Sequence, residues 1–145
     1  MARLIFALML ILPVTAFAGD VTMGDVTLRD GWFRMLLPGR PAGGYFELEN
    51  GGDEAVDLTG VRTMGCGMAM LHETMREGGQ DQMEMIHKIR IEPGESLSFA
   101  PGGYHIMCLS PQDWMVPGSE VPVFLRFASG DELEAMFEVR GALGD

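Results

Sequence analysis

Turn signals recur so often in this chain that no long helix fits between them. Gly and Pro clusters fall at residues 36–44, at Asn50-Gly51-Gly52-Asp53-Glu54, at Gly78-Gly79, at Pro93-Gly94, at Pro101-Gly102-Gly103 and at Ser129-Gly130-Asp131. Such clusters punctuate a chain at the spacing of short strands. The segments between them alternate or are rich in β-branched and aromatic residues. Val21 to Arg29 is expected as a first strand with a kink at Gly24, and Trp32-Phe33 as the start of a second. Tyr45 to Leu48 and Val56 to Val61 follow, and 62–70 reads as a loop without a clear period. Met70 to Met75 is expected as a strand, Arg76 to Gln82 as a hairpin connection, and Met83 to Ile86 as the returning strand. Ile89 and Ile91 continue that alternation. Ser96 to Phe99, Tyr104 to Leu109, and a last hairpin of Val121–Phe127 with Leu133–Val139 complete the pattern. No window carries a helical period. Eight or nine short strands imply an all-β, antiparallel β-sandwich or barrel, a single domain spanning 19–145 with a short frayed tail from Gly141; a Greek-key sandwich is the expected form.

Residues 1–18 are excluded from that domain. Arg3, the apolar run Leu4 to Leu12, Pro13 and the Ala16-Phe17-Ala18 tripeptide form a basic, then apolar, then small-residue series, as in a cleavable signal peptide. Cleavage is expected after Ala18. The apolar run is too short for a permanent membrane span, and no Cys follows the cleavage point to carry a lipid. The sequence thus predicts a periplasmic protein without stable membrane insertion.

A formal net charge of −11 with no run of Lys or Arg argues against nucleic acid as a partner. The charge by itself speaks only for solubility. Methionine is more telling: there are 13 in 145 residues, and Met64, Met68, Met70, Met75, Met83, Met85 and Met107 crowd into one stretch. Cores use Met sparingly as a gap-filler, so the crowding needs another cause. Interleaved with them are His72 and His105. For any one of these residues, ordinary packing or a surface position is the better reading. The concentration of both types on paired strand ends is what packing does not predict.

Thioether sulfur is soft and suits Cu(I), and imidazole accepts copper in either oxidation state. Calcium and magnesium would call for carboxylates and carbonyls, and zinc for thiolates or more imidazoles. Because side chains alternate along a strand, His105 and Met107 must share a face, while Ile106 and Cys108 take the other. The residues therefore propose a mononuclear copper site, Cu(I) preferred, with His72, Met83, His105 and Met107 as ligands. No nucleophile–base pair or carboxylate constellation suggests an enzyme.

The four ligands are spaced by ten, twenty-one and one residues, which resembles the signature of the periplasmic copper chaperone family PCuAC. The likeness extends to Gly43 through Asp53, to Leu71-His72-Glu73-Thr74, to Pro101 through Met107, and to Val121 through Glu132. It implies a cupredoxin-like β-sandwich that delivers copper to an acceptor protein, either a cytochrome oxidase subunit with its binuclear copper centre or another assembly chaperone. Members usually carry Met-x-Met at the second ligand position. Met83-Glu84-Met85 offers both; the residue count selects Met83, and a longer turn at Gly78–Asp81 would select Met85.

The Met64–Met70 segment could add ligands near His72 or form a flexible arm for transfer. Cys66 and Cys108 either form a disulfide or remain a free Cys66 and a buried Cys108, and His87 is taken as solvated. Trp32, Tyr104 or Trp114 are candidates to frame the site. Two other functions compete: an electron-transfer cupredoxin, which would need Cys108 as a ligand, and a metal-free interaction module.

Overall fold

A computed structural model describes residues 19–144. The expected signal peptide at 1–18 lies outside the described residues. Strands β1 (Val21–Met23) and β2 (Val26–Arg34) form a hairpin around Gly24, whose φ of 57° favours a residue without a Cβ. Then come β3 (Ala42–Asn50), β4 (Val56–Thr63), β5 (Cys66–Glu77), β6 (Gln80–Met85) and β7 (Ile89–Ile91). They are followed by β8 (Ser96–Phe99), β9 (Tyr104–Pro111), β10 (Glu120–Phe127) and β11 (Glu132–Arg140). The described residues contain no helix.

One continuous sheet runs in the order β6-β5-β9-β8-β3-β2-β11-β10-β4-β7, with β1 on β2 and a further β9–β3 pairing. It curls over, so that β4 packs near β5 without pairing to it. The shared interior is filled by Phe33, Phe46, Phe99 and Phe137 with Leu48, Leu58, Leu125 and Val139. Period-2 burial is cleanest in β11, where Leu133, Ala135, Phe137 and Val139 are buried and the residues between them exposed. Pro122 sits within β10 without breaking a ladder, because pairing to β4 begins only at Val123.

Several expectations are corrected. There are eleven strands, not eight or nine, and the sheet is mixed, not purely antiparallel as in a Greek key. β11 runs parallel to β2, and β8 parallel to β9 across the Pro101–Gly103 turn. Val21 to Arg29 is two strands, and β2 continues through Trp32 and Phe33. A register shift lies between Arg29 and Trp32, with Asp30 at φ 52°. β3 begins at Ala42, inside the expected loop. Within 62–70 only Met64-Gly65 is a turn: β4 runs to Thr63, and β5 begins at Cys66 and pairs with β9 as far as Glu73. The β5–β6 turn is only Gly78-Gly79, both with positive φ, so Gln80 to Gln82 already belong to a strand. Short apolar strands at Ser96–Phe99 and the closing hairpin fall where their sequence placed them.

Candidate metal centre

β5 and β9 form a long antiparallel pairing that carries the two candidate-ligand histidines, His72 and His105. His72 stands directly opposite His105, and Met70 opposite Met107. Opposed residues share a face, so these four side chains lie together. The intervening Leu71, Ile106 and Cys108 turn into the core and are 2% exposed or less. On the other flank of β5, His72 stands opposite Met85, and Thr74 opposite Met83. The outer face of three adjacent strands therefore holds every candidate ligand, Met83 and Met85 included. The residue count selects Met83 as the second ligand, but the residue across from His72 is Met85, with Met83 one rank away.

His105 is 5% exposed although it is polar. Its Nδ1 lies 3.0 Å from the Gly103 carbonyl oxygen. A carbonyl can only accept, so Nδ1 carries the proton and Nε2 keeps a free lone pair. That Nε2 is buried and has no hydrogen-bond partner among the described residues, and neither has His72 Nδ1. The two rings lie 5.8 Å apart at 66°. Burial, with His105 adding to it, holds the His72 imidazole below its ordinary pKa and so neutral. An unpaired buried acceptor costs about 1–3 kcal/mol, and here two are placed side by side. A ring whose far nitrogen donates to a backbone carbonyl is also how metal-ligating histidines are commonly held.

His105, Met107 and Met83 line one concavity of about 290 Å³, together with Thr74, Tyr45 and Arg34. Met107 is half-buried and Met83 is 57% exposed, so the thioethers grade from the interior to the surface. Met85 lines a neighbouring depression instead, with Met70 and His87. Among the described residues no three His, Cys, Asp or Glu side chains gather where they could hold an ion. One carboxylate, Asp81, also lines the concavity, and its soft donors are imidazole and thioether.

Cys66 and Cys108 form a disulfide, with Cα atoms 5.4 Å apart. This decides between the two states open from the sequence. It clamps β5 to β9 three residues along β9 from His105 and removes both sulfurs as thiolates. Of the three aromatic residues offered as framing, Tyr104 packs on Phe99 and is level with Glu73, off the histidine face. Trp114 is exposed in the β9–β10 connection. Trp32 acts indirectly, lying 5.0 Å from Tyr45. Tyr45 itself was missed. Its ring folds back over Gly43, where a Cβ would come 2.5 Å from its hydroxyl, and Gly43 is opposite Met107. The Gly43-Gly44-Tyr45 sequence held that signal, a cleared backbone beside an aromatic ring.

Residues 26–139 match the model of the family described as "Putative lipoprotein LpqE-like". The chain belongs to the LpqE-like family. A member-like relative, "Putative lipoprotein Lxx21020" of Leifsonia xyli subsp. xyli, is 28% identical over 120 residues, 82% of this chain and 72% of the relative. Among solved structures, the copper-bound PCuAC domain from PmoF2 superposes with a TM-score of 0.70 at 20% identity, covering 85% of this chain and 98% of that domain. The Cu(I) form of DR1885 from Deinococcus radiodurans gives 0.64 at 24% identity, covering 88% and 83%. These likenesses establish that the LpqE-like chain shares the PCuAC domain fold, as the ligand spacing led one to expect. The lipoprotein description of the family suggests export, and no helix among the described residues is long and apolar enough to cross a membrane.

Proposed function

We propose that this protein is an exported copper chaperone, periplasmic after loss of residues 1–18. It holds one Cu(I) through His72, His105, Met107 and Met83 and passes the ion to an acceptor protein. The observation that carries the reading is the pair of buried, unpartnered imidazole nitrogens, His72 Nδ1 and His105 Nε2, on directly opposed residues. Nothing among the described residues satisfies them, and a soft cation beside Met107 would. The structural neighbours include copper-bound and Cu(I)-bound PCuAC domains, which agrees with copper as the cargo.

Each residue has a distinct part. His105, fixed through its Nδ1–H to Gly103, presents Nε2 in one orientation. His72 presents Nδ1 from the facing strand. Met107 adds a sulfur from the rank of β9 nearest His105. Met83 reaches in from the exposed β6 edge and is the ligand most open to exchange. All four are neutral, so binding releases no protons from thiols, and release proceeds ligand by ligand, starting with Met83. The binuclear copper centre of cytochrome oxidase is an acceptor suited to such an ion, because it collects copper outside the cytoplasm.

An electron-transfer cupredoxin needs a Cys thiolate, and Cys108 is bound to Cys66. A metal-free interaction module leaves the two orphaned nitrogens without a purpose. Anaerobic Cu(I) competition titration separates the readings. The wild type should take up one tight equivalent. His105→Ala should weaken it by about 100-fold or more, near 2.7 kcal/mol, and Met83→Leu by about tenfold. Undiminished binding in His105→Ala sinks the proposal. A larger loss in Met85→Leu than in Met83→Leu transfers the fourth ligand to Met85.

A further inference from the structure

The geometry points to a second soft-metal site next to the first, built from Met70, Met85 and His87 and suited to Cu(I) or Ag(I). It rests on the reading of the first site only in that both serve one cargo. The β5–β6 ladder does not stop at the end of β6: the Ile86 amide donates to the Leu71 carbonyl at 2.8 Å. Continued by two residues, the register that pairs His72 with Met85 brings His87 level with Met70. All three residues, Met70, Met85 and His87, line one depression of about 160 Å³ against β4. Two thioethers and one imidazole are donors that a monovalent soft ion accepts.

Two features set this site apart from a random methionine cluster. No carboxylate lines the depression, while Arg126 does. A guanidinium in the wall repels a divalent ion more strongly than a monovalent one, which excludes calcium, magnesium and zinc. The same charge makes the site weaker than its neighbour. Secondly, the sites are connected. Met85 stands opposite His72, and Met70 stands opposite Met107, so each second-site methionine abuts a first-site ligand. Met85 is 50% exposed and faces outward from an edge strand. An ion leaving His72 and Met107 would thus meet soft donors before it meets water. The second site is a step on the way in or out.

Titration of the disulfide-bonded protein with Ag(I), then anaerobically with Cu(I), tests this with methionine ε-methyl and imidazole NMR signals as readouts. Two sequential equivalents are expected. The first should move His105 and Met107, and the second Met70, Met85 and His87, with affinity at least about tenfold lower. Met70→Leu combined with His87→Ala should abolish the second equivalent and keep the first. Saturation at one equivalent in the wild type overturns the second site while leaving the chaperone reading intact. A shift of Met85 with the first equivalent, paired with an unaffected Met83→Leu, overturns it too, since Met85 would then belong to the first site. Failure to bind either ion defeats both readings together.

Discussion

The inner and outer faces of β5 and β9 have the same backbone, the same register and opposite chemistry. Inward lie Leu71, Ile106 and Cys108, sealed from solvent; outward lie Met70, His72, His105 and Met107, half-buried at most apart from His105. The inner face follows the rule for a sheet packed on a core. The outer face breaks it, with polar rings buried but unsatisfied and with sulfur left in the open. The difference teaches where selection for stability stops. One face holds the strands together, and the other uses their rigidity to hold side chains at a fixed spacing.

The largest effect should come from the disulfide, which joins the two histidine-bearing strands and closes a separation of 42 residues. Chain-entropy reasoning gives about 4 kcal/mol for a loop of that size. A Cys66→Ala/Cys108→Ala double variant should lose about that much in urea unfolding. A loss under about 1 kcal/mol would mean that packing alone aligns β5 with β9. Next in size is a pair of neighbours on opposite faces. Ile106→Ala should cost about 2–5 kcal/mol of stability and keep the tight Cu(I) equivalent. Met107→Leu should change stability by less than about 1 kcal/mol and weaken copper binding. If the two variants behave alike, the division of labour between the faces fails.

Much of that division was legible beforehand, because strand alternation is a local property. It placed His105 with Met107 and sent Cys108 inward without any knowledge of the fold. The all-β class followed as directly from turn chemistry at Gly78-Gly79, Pro101–Gly103 and Ser129–Asp131. What escaped was non-local. The segment 62–70 lacks hydrophobic periodicity because its outer residues are methionines, so a strand defined by pairing to β9 read as a loop. The parallel pairing of β11 with β2 joins opposite ends of the chain, and no local signal encodes it. Tyr45 reaches the concavity only because β3 pairs with β9. That Met85 rather than Met83 stands opposite His72 has the same origin: the register is set by where the turn is centred, between Gly78 and Gly79, and no local signal within 76–82 marks that centre.

The smallest effect is also the most selective. Burial, and then His105, lower the His72 pKa in the folded protein, so the unfolded chain takes up a proton there first as pH falls. Stability of the copper-free protein should therefore be unaffected by His72 at pH well above the ordinary histidine value of about 6.5. It should decline as pH drops through that value, then level off once pH is below the folded pKa. Urea midpoints measured between pH 7.5 and pH 5 on wild type and His72→Gln would show it as a gap that opens only on the acid side. Taking the difference between the two proteins cancels the carboxylates, of which Glu132, held by Arg62 below its usual range, loses its contribution at lower pH still. Ile106→Ala should by contrast shift every midpoint by a similar amount, since nothing on the inner face titrates. Parallel curves for wild type and His72→Gln would show that the outer face is no drier than the surface around it, and would remove the reason for calling its nitrogens unsatisfied.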